Sequence, residues 1–231
     1  MSRVIVALDF QDRLDALQLV GQLDPARCRL KVGKEMFTRF GPGFVQVLQG
    51  RGFDVFLDLK FHDIPNTAAA AVEAAADLGV WMVNVHASGG RHMLEACARQ
   101  LAVRNADERP LLYGVTVLTS LTDNEIREIG WSGSSEEAVT RLAGLAHESG
   151  LDGVVCSAME AELLKSRFGP GLGLVTPGIR PAFAVQGDQQ RVMTPAKALA
   201  AGSDYLVIGR PITRAEDPME ALAKIEAEIA G

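Results

Sequence analysis

The residues best suited to chemistry stand together at Asp58-Leu59-Lys60-Phe61-His62-Asp63-Ile64-Pro65-Asn66-Thr67. Two carboxylates bracket one ammonium within a single short run. Opposite charges on both sides favour the charged form of Lys60. A lysine kept charged is a proton donor and a fixed cation, whereas a Schiff-base nucleophile needs a free amine. If the run begins in a strand, alternate residues share a face. Asp58 and Lys60 then point one way, and Val55, Leu57 and Leu59 point the other. Asp63 has two readings, a functional carboxylate or a helix cap next to Pro65. Asp58 and Lys60 together read as function rather than as a solvated ion pair. His62, beside Phe61, reads as packing at least as strongly as catalysis. His86 and His92 lack a ligand spacing and His147 falls inside a helical stretch, so no metal is assigned.

Other polar residues close strand-like runs. Asp9 follows RVIVAL, Lys31 lies in CRLKVG, and Asn84 and His86 end WMVNVH. Thr119 follows LLYGVTV, and Gly209-Arg210 follows DYLVI. An isolated charge at a strand end is unremarkable; the whole set is not. A Gly/Pro-rich segment, Thr176-Pro177-Gly178-Ile179-Arg180 through Asp188-Gln189-Gln190-Arg191, reads as a lid over whatever lies there. Gly209 lets backbone approach a ligand, and Arg210 can hold a phosphate through two hydrogen bonds.

Eight β-rich runs must position these residues: 3–8, 28–33, 53–59, 81–86, 111–117, 152–157, 172–178 and 204–209. They are rich in Val, Leu and Ile and carry few charges before their C-terminal ends, as strands buried on both faces do. Helical stretches separate them. Leu14, Leu17 and Val20 recur at helical spacing. Pro65 fits the first position of a helix that runs to Gly79. Thr122/Glu125, Ser134/Glu137 and Ser157/Glu160 match capping boxes. Thr194-Pro195 and Asp217-Pro218 read as a cap followed by proline. Gly41-Pro42-Gly43 divides 35–49 into two short helices. Eight strand–helix units predict a single (β/α)8 TIM barrel over residues 1–231, with the chemistry at the C-terminal ends of the strands. An open doubly wound sheet is the runner-up, but the glycines at 169, 171 and 173 precede a strand and miss the dinucleotide spacing.

The composition agrees. The 231 residues are 48% hydrophobic and 23% charged, enough for a sizeable core. The net charge of −6 argues against a broad nucleic-acid surface. Cys28, Cys97 and Cys156 form no CxxC pair and read as free thiols of a reducing cytoplasm. MSRVIVALDF does not read as a signal peptide, and no apolar run reaches the ~20 residues of a membrane span.

These motifs resemble the orotidine 5′-monophosphate decarboxylase family, over essentially the whole chain. The resemblance rests on VALD ending at Asp9, LKVG with Lys31, DLKFHDIPNT, VTVLTS around Thr119, TPGIR ending at Arg180, Gln189, and IGRPI with Gly209 and Arg210. It implies decarboxylation of orotidine 5′-monophosphate to UMP, the last step of de novo pyrimidine synthesis, with neither metal nor organic cofactor. Lys60 would protonate C6 and Asp58 would lie beside the departing carboxylate. Lys31, Asp58, Lys60 and Asp63 would form a charged network, with Asp63 supplied by the partner subunit of a homodimer. Asp9 and Lys31 would hold the ribose, Thr67 would reach it across the dimer, and Ile64 would line the partner's pocket. Either Thr119 or Ser120 would meet the pyrimidine. Gly209, Arg210 and Gln189 would bind the phosphate, with the lid carrying Arg180 closing over it. Two other readings compete. A sister decarboxylase of keto-sugar phosphates shares the Asp-x-Lys-x-x-Asp motif but uses Mg²⁺, which a cation at Lys31 would repel. A non-catalytic nucleotide-binding barrel would not need Lys60 between two carboxylates.

Overall fold

The structure, a computed structural model, describes residues 2–184 and 193–231. Eight parallel strands close into a barrel in chain order. They are β1 (Val4–Leu8), β2 (Arg29–Gly33), β3 (Val55–Phe61), β4 (Met82–His86), β5 (Leu111–Val115), β6 (Gly153–Val155), β7 (Gly173–Pro177) and β8 (Tyr205–Ile208). Closure is made by β1 on β8, with Val4 opposite Leu206 and Val6 opposite Ile208. The predicted barrel is therefore the observed one.

Alternation along the strands sorts the apolar residues into two cores. Ile5, Ala7, Phe56, Met82, Tyr113, Val175 and Val207 fill the barrel interior. Val4, Val6, Val32, Val55, Leu57, Val83 and Val85 face outward and pack under the helices. Tyr113 spans the lower interior, where a Cβ at Gly153 or Gly173 would collide with its ring. Below this layer the half-buried Arg29–Asp54 pair closes the barrel floor, its guanidinium 4.2 Å from the centre of the Trp81 ring. The interior is thus solid at the bottom and polar at the top, where Lys31, Asp58 and Asn84 replace apolar residues on the inward face.

The helices are α1 (Arg13–Val20), α2 (Lys34–Gln49), α3 (Pro65–Asp77), α4 (Arg91–Ala102), α5 (Asp123–Glu128), α6 (Ser135–Glu148), α7 (Ala161–Phe168), α8 (Pro195–Ala200), α9 (Arg210–Thr213) and α10 (Pro218–Ala230). The capping boxes at Thr122/Glu125 and Ser134/Glu137 open α5 and α6 as predicted. Thr194 and Asp217 cap α8 and α10 ahead of their prolines. α2 breaks at Gly41, whose φ of 64° no helix accommodates.

Three expectations shift. The Ser157/Glu160 box opens a 3₁₀ turn, Ala158–Glu160, and α7 begins only at Ala161. The buried stripe of α1 is Ala16, Leu19 and Val20, which leaves Leu14 facing solvent. Leu14 lies two residues before Ala16, roughly 200° around the helix, so it cannot share that face. β5 and β6 stop at Val115 and Val155, where their mutual ladder ends, which leaves Val117, Thr119 and Ser157 in loops. Cys28, Cys97 and Cys156 are free and buried, and burial pushes the first two thiols up to about 12 and about 11. Among the described residues no helix is long and apolar enough to cross a membrane.

Candidate active site

The polar strand ends converge on one cavity of about 360 Å³ at the C-terminal mouth of the barrel. Asp9 enters from the end of β1, Lys31 from β2, and Asp58 and Lys60 from β3. Thr119 and Ser120 come from the loop after β5, Arg180 from the segment after β7, and Gly209 with Arg210 from the end of β8. Phe56 and Val207 form part of its apolar wall.

Asp58 is the centre of the arrangement and is 8% exposed. Its Oδ1 accepts from Lys60 Nζ at 2.6 Å, and its Oδ2 lies 3.2 Å from Lys31 Nζ. Lys31 Nζ also lies 3.7 Å from Asp9 Oδ1. Burial pulls the Asp58 carboxyl up, but the Lys31 and Lys60 charges, with the bonds from Lys60 and Asn84, outweigh it and hold the group below its usual value. Unit charges about 4 Å apart interact by ~4 kcal/mol at the effective dielectric of such sites, which is how two ammoniums keep one buried carboxylate ionised.

Lys60 has a φ of 52°, and among the described residues it is the one non-glycine with positive φ. That conformation costs a long side chain roughly 1–3 kcal/mol. A hydrogen bond to a charged group returns about 1.5–3 kcal/mol, so the short bond to Asp58 is of the right size to hold the strain. The strain sits where β3 slips against β4. Leu57 pairs with Val83, but the next pair is Phe61 with Val85. Asn84, fully buried, fills the slip: its Oδ1 accepts from Lys60 N at 2.8 Å and its Nδ2 donates to Asp58 Oδ1 at 2.8 Å. The sequence reading set Asn84 among the polar residues that close strand-like runs but did not name it as a site residue. Its signal was a carboxamide between Val83 and Val85 on a strand whose other polar residue is the terminal His86.

Gly209 has a φ of −106°, and an added Cβ would meet nothing closer than Ala7 Cβ at 3.6 Å. The fold therefore leaves room for a side chain there, and what a side chain would take is cavity space. At Gly33 a Cβ would stand 3.3 Å from Lys31 Nζ and crowd the ammonium. Arg180 Nη1 donates to the carbonyl of Ile179. Gln189 lies outside the described residues.

Asp63, Ile64 and Thr67 do not join this cavity. All three are exposed, and Ile64 shows 68% of its surface to solvent. Asp63 Oδ1 accepts from the N–H of Ile64, and α3 starts at Pro65 with no side-chain cap. The capping reading of Asp63 is thus not the observed one. His62 is exposed rather than packed in the core, and its ring centre lies 5.5 Å from that of His86. Burial, then the fields of His62, Lys34 and Lys60, push the His86 imidazole down to about 4.

The model of the orotidine 5′-phosphate decarboxylase / HUMPS family matches residues 2–225. Orotidine 5′-phosphate decarboxylase of Hahella chejuensis is 62% identical over 227 residues, covering 98% of this chain and 97% of that one. The Halorhodospira halophila protein of that name is 64% identical over 228 residues, covering 99% and 96%. The crystal structure of orotidine 5′-phosphate decarboxylase from Lactobacillus acidophilus superposes with a TM-score of 0.88 at 38% identity, covering 99% of each chain. Matched by the family model and by these relatives over nearly its whole length, the chain belongs to the orotidine 5′-phosphate decarboxylase family.

Proposed function

We propose that the protein decarboxylates orotidine 5′-monophosphate to UMP and carbon dioxide, the last step of de novo UMP synthesis. The observation that carries this reading is the Lys60 ammonium, 2.6 Å from Asp58 inside a cavity whose far rim is Gly209-Arg210. The C6–carboxylate bond breaks, its electron pair stays on C6, and carbon dioxide leaves. The pair then takes a proton from Lys60 Nζ, and solvent restores the ammonium. No adjacent group can absorb that charge, so a cation already in place at C6 supplies the stabilisation. Asp58 faces the departing carboxylate and anchors both lysines.

Asp9 and Lys31 hold the ribose, Thr119 or Ser120 meets the pyrimidine, and Gly209, Arg210 and Gln189 take the phosphate as the segment carrying Arg180 closes. Binding energy from the phosphate, remote from C6, drives that closure and so contributes to the chemical step. The working unit is a cytoplasmic homodimer with shared sites, to which each chain lends Asp63, Ile64 and Thr67. Their exposure outside their own chain's cavity supports this role. No metal or organic cofactor enters the scheme. Lys31 Nζ, on Asp58 Oδ2, stands where a Mg²⁺ site on this motif would need a carboxylate, which disfavours the keto-sugar-phosphate chemistry. The test is loss of orotidine 5′-monophosphate absorbance with and without EDTA. Turnover unchanged by EDTA is expected; no turnover, or turnover that EDTA abolishes, refutes the reading.

A further inference from the structure

Asn84 does not line the cavity, yet it touches both members of the reacting pair from behind. β3 advances from Leu57 to Phe61 while β4 advances only from Val83 to Val85. Over that interval the backbone of β3 loses its regular ladder partners, and a buried N–H left without one is costly. The Asn84 carboxamide takes over. Its oxygen accepts from Lys60 N at 2.8 Å, and its nitrogen donates at 2.8 Å to the same Asp58 oxygen that holds Lys60 Nζ. The three bonds close a ring that grips Lys60 at both ends, backbone and ammonium. Only one amide orientation works, since the reverse sets N–H against N–H and oxygen against carboxylate.

We propose that Asn84 is the positioning residue of the Asp58–Lys60 pair: its carboxamide holds Lys60 in the left-handed conformation and so sets where the ammonium stands. This rests on the reading of Lys60 as the proton donor to C6. Asn suits the position because one planar group offers an acceptor and a donor side by side. Leucine matches its shape but offers neither, and an ionised aspartate offers two acceptors and places a second negative charge against Asp58.

The test compares Asn84→Ala, Asn84→Asp and Lys60→Ala with wild type, measuring kcat, UMP affinity and melting. Asn84→Ala is expected to lower kcat by about 100-fold, the scale of a misplacement near 1 Å. UMP affinity, held largely at the phosphate, is expected to stay within about threefold. Asn84→Asp supplies a signature that a purely structural role would not. Burial and the neighbouring Asp58 charge raise the pKa of the carboxyl it introduces. Once protonated, that carboxyl donates to Asp58 and still accepts from Lys60 N, as the amide does. The activity of Asn84→Asp relative to wild type is therefore expected to rise as pH falls, by up to about tenfold per unit while that carboxyl titrates. If Asn84→Ala keeps kcat within about threefold of wild type, the proposal fails. If Asn84→Ala is too unstable to assay and the Asn84→Asp ratio is flat with pH, Asn84 serves the fold alone and the proposal also fails. Lys60→Ala is the separate arm, since its retention of turnover would reject the proton-donor reading itself, whatever Asn84 does.

Discussion

If Lys60 is strained in order to present its ammonium, then among variants that lack the ammonium the one that relieves the strain should be the more stable, and it should be no more active. Lys60→Ala and Lys60→Gly make the comparison. Both delete the ammonium and leave Asp58 with Lys31 and Asn84, so the electrostatic loss is common to the two and cancels between them. They differ in backbone: alanine keeps the penalty of a φ of 52°, about 1–2 kcal/mol, whereas glycine escapes it. Glycine loses about 0.5–1 kcal/mol more conformational entropy on folding. The midpoints favour Lys60→Gly by roughly 0.75 kcal/mol, or about 1.5–3 °C in melting temperature for a chain of this length. Scanning calorimetry of the two ligand-free variants at one pH measures it, with decarboxylation absent in both. A Lys60→Gly protein that melts no higher than Lys60→Ala would refute the claim that strain is stored at this residue.

Arg210→Ala should weaken UMP by about 1.5–3 kcal/mol, roughly 10–150-fold, and leave uridine nearly unaffected; equal losses for both ligands in titration calorimetry contradict the phosphate assignment. Mixing Lys60→Ala with Asp63→Ala under conditions of subunit exchange should restore activity toward about half of wild type per hybrid dimer if the two sites act independently, because one site then has both residues intact. No recovery on mixing would return Asp63 to its own chain. His86 should titrate near pH 4 by NMR of its ring protons. Its folded value lies below the ordinary 6.5, so the unfolded chain binds the extra proton first and stability is lost as pH falls from about 6.5 toward 4. The urea midpoint should therefore drop more steeply across that window in wild type than in His86→Gln, and parallel curves would show that His86 contributes nothing.

Much of the barrel is legible in the sequence because strands buried on both faces must be runs rich in Val, Leu and Ile, whose polar residues gather at their two ends, Arg29 and Asp54 at the floor and Asp58 and Lys60 at the mouth. Period-two parity alone separates Asp58 and Lys60 from Leu57 and Leu59, and it holds in the structure. What parity cannot see is the slip between β3 and β4. A sequence shows which residues share a face, but the register of one strand against its neighbour depends on both backbones at once. The left-handed Lys60 and the hold of Asn84 on it were hidden for that reason. Leu14 misled because a short helix fits more than one apolar stripe, and packing on the barrel selected the one through Ala16. The role proposed for Asp63, Ile64 and Thr67 escapes single-chain reasoning differently. An exposed Ile64 inside an otherwise functional run is a clue only once it is seen to lie outside the cavity of its own chain.

The central claim is that the Lys60 ammonium delivers the proton to C6. The most direct measurement is turnover of orotidine 5′-monophosphate by Lys60→Ala, alongside its affinity for UMP. The account predicts a loss of kcat of at least about 10³-fold, the upper range of general acid catalysis, with UMP still bound through Arg210 and Asp9. Turnover within about tenfold of wild type by a folded, UMP-binding Lys60→Ala protein would contradict it.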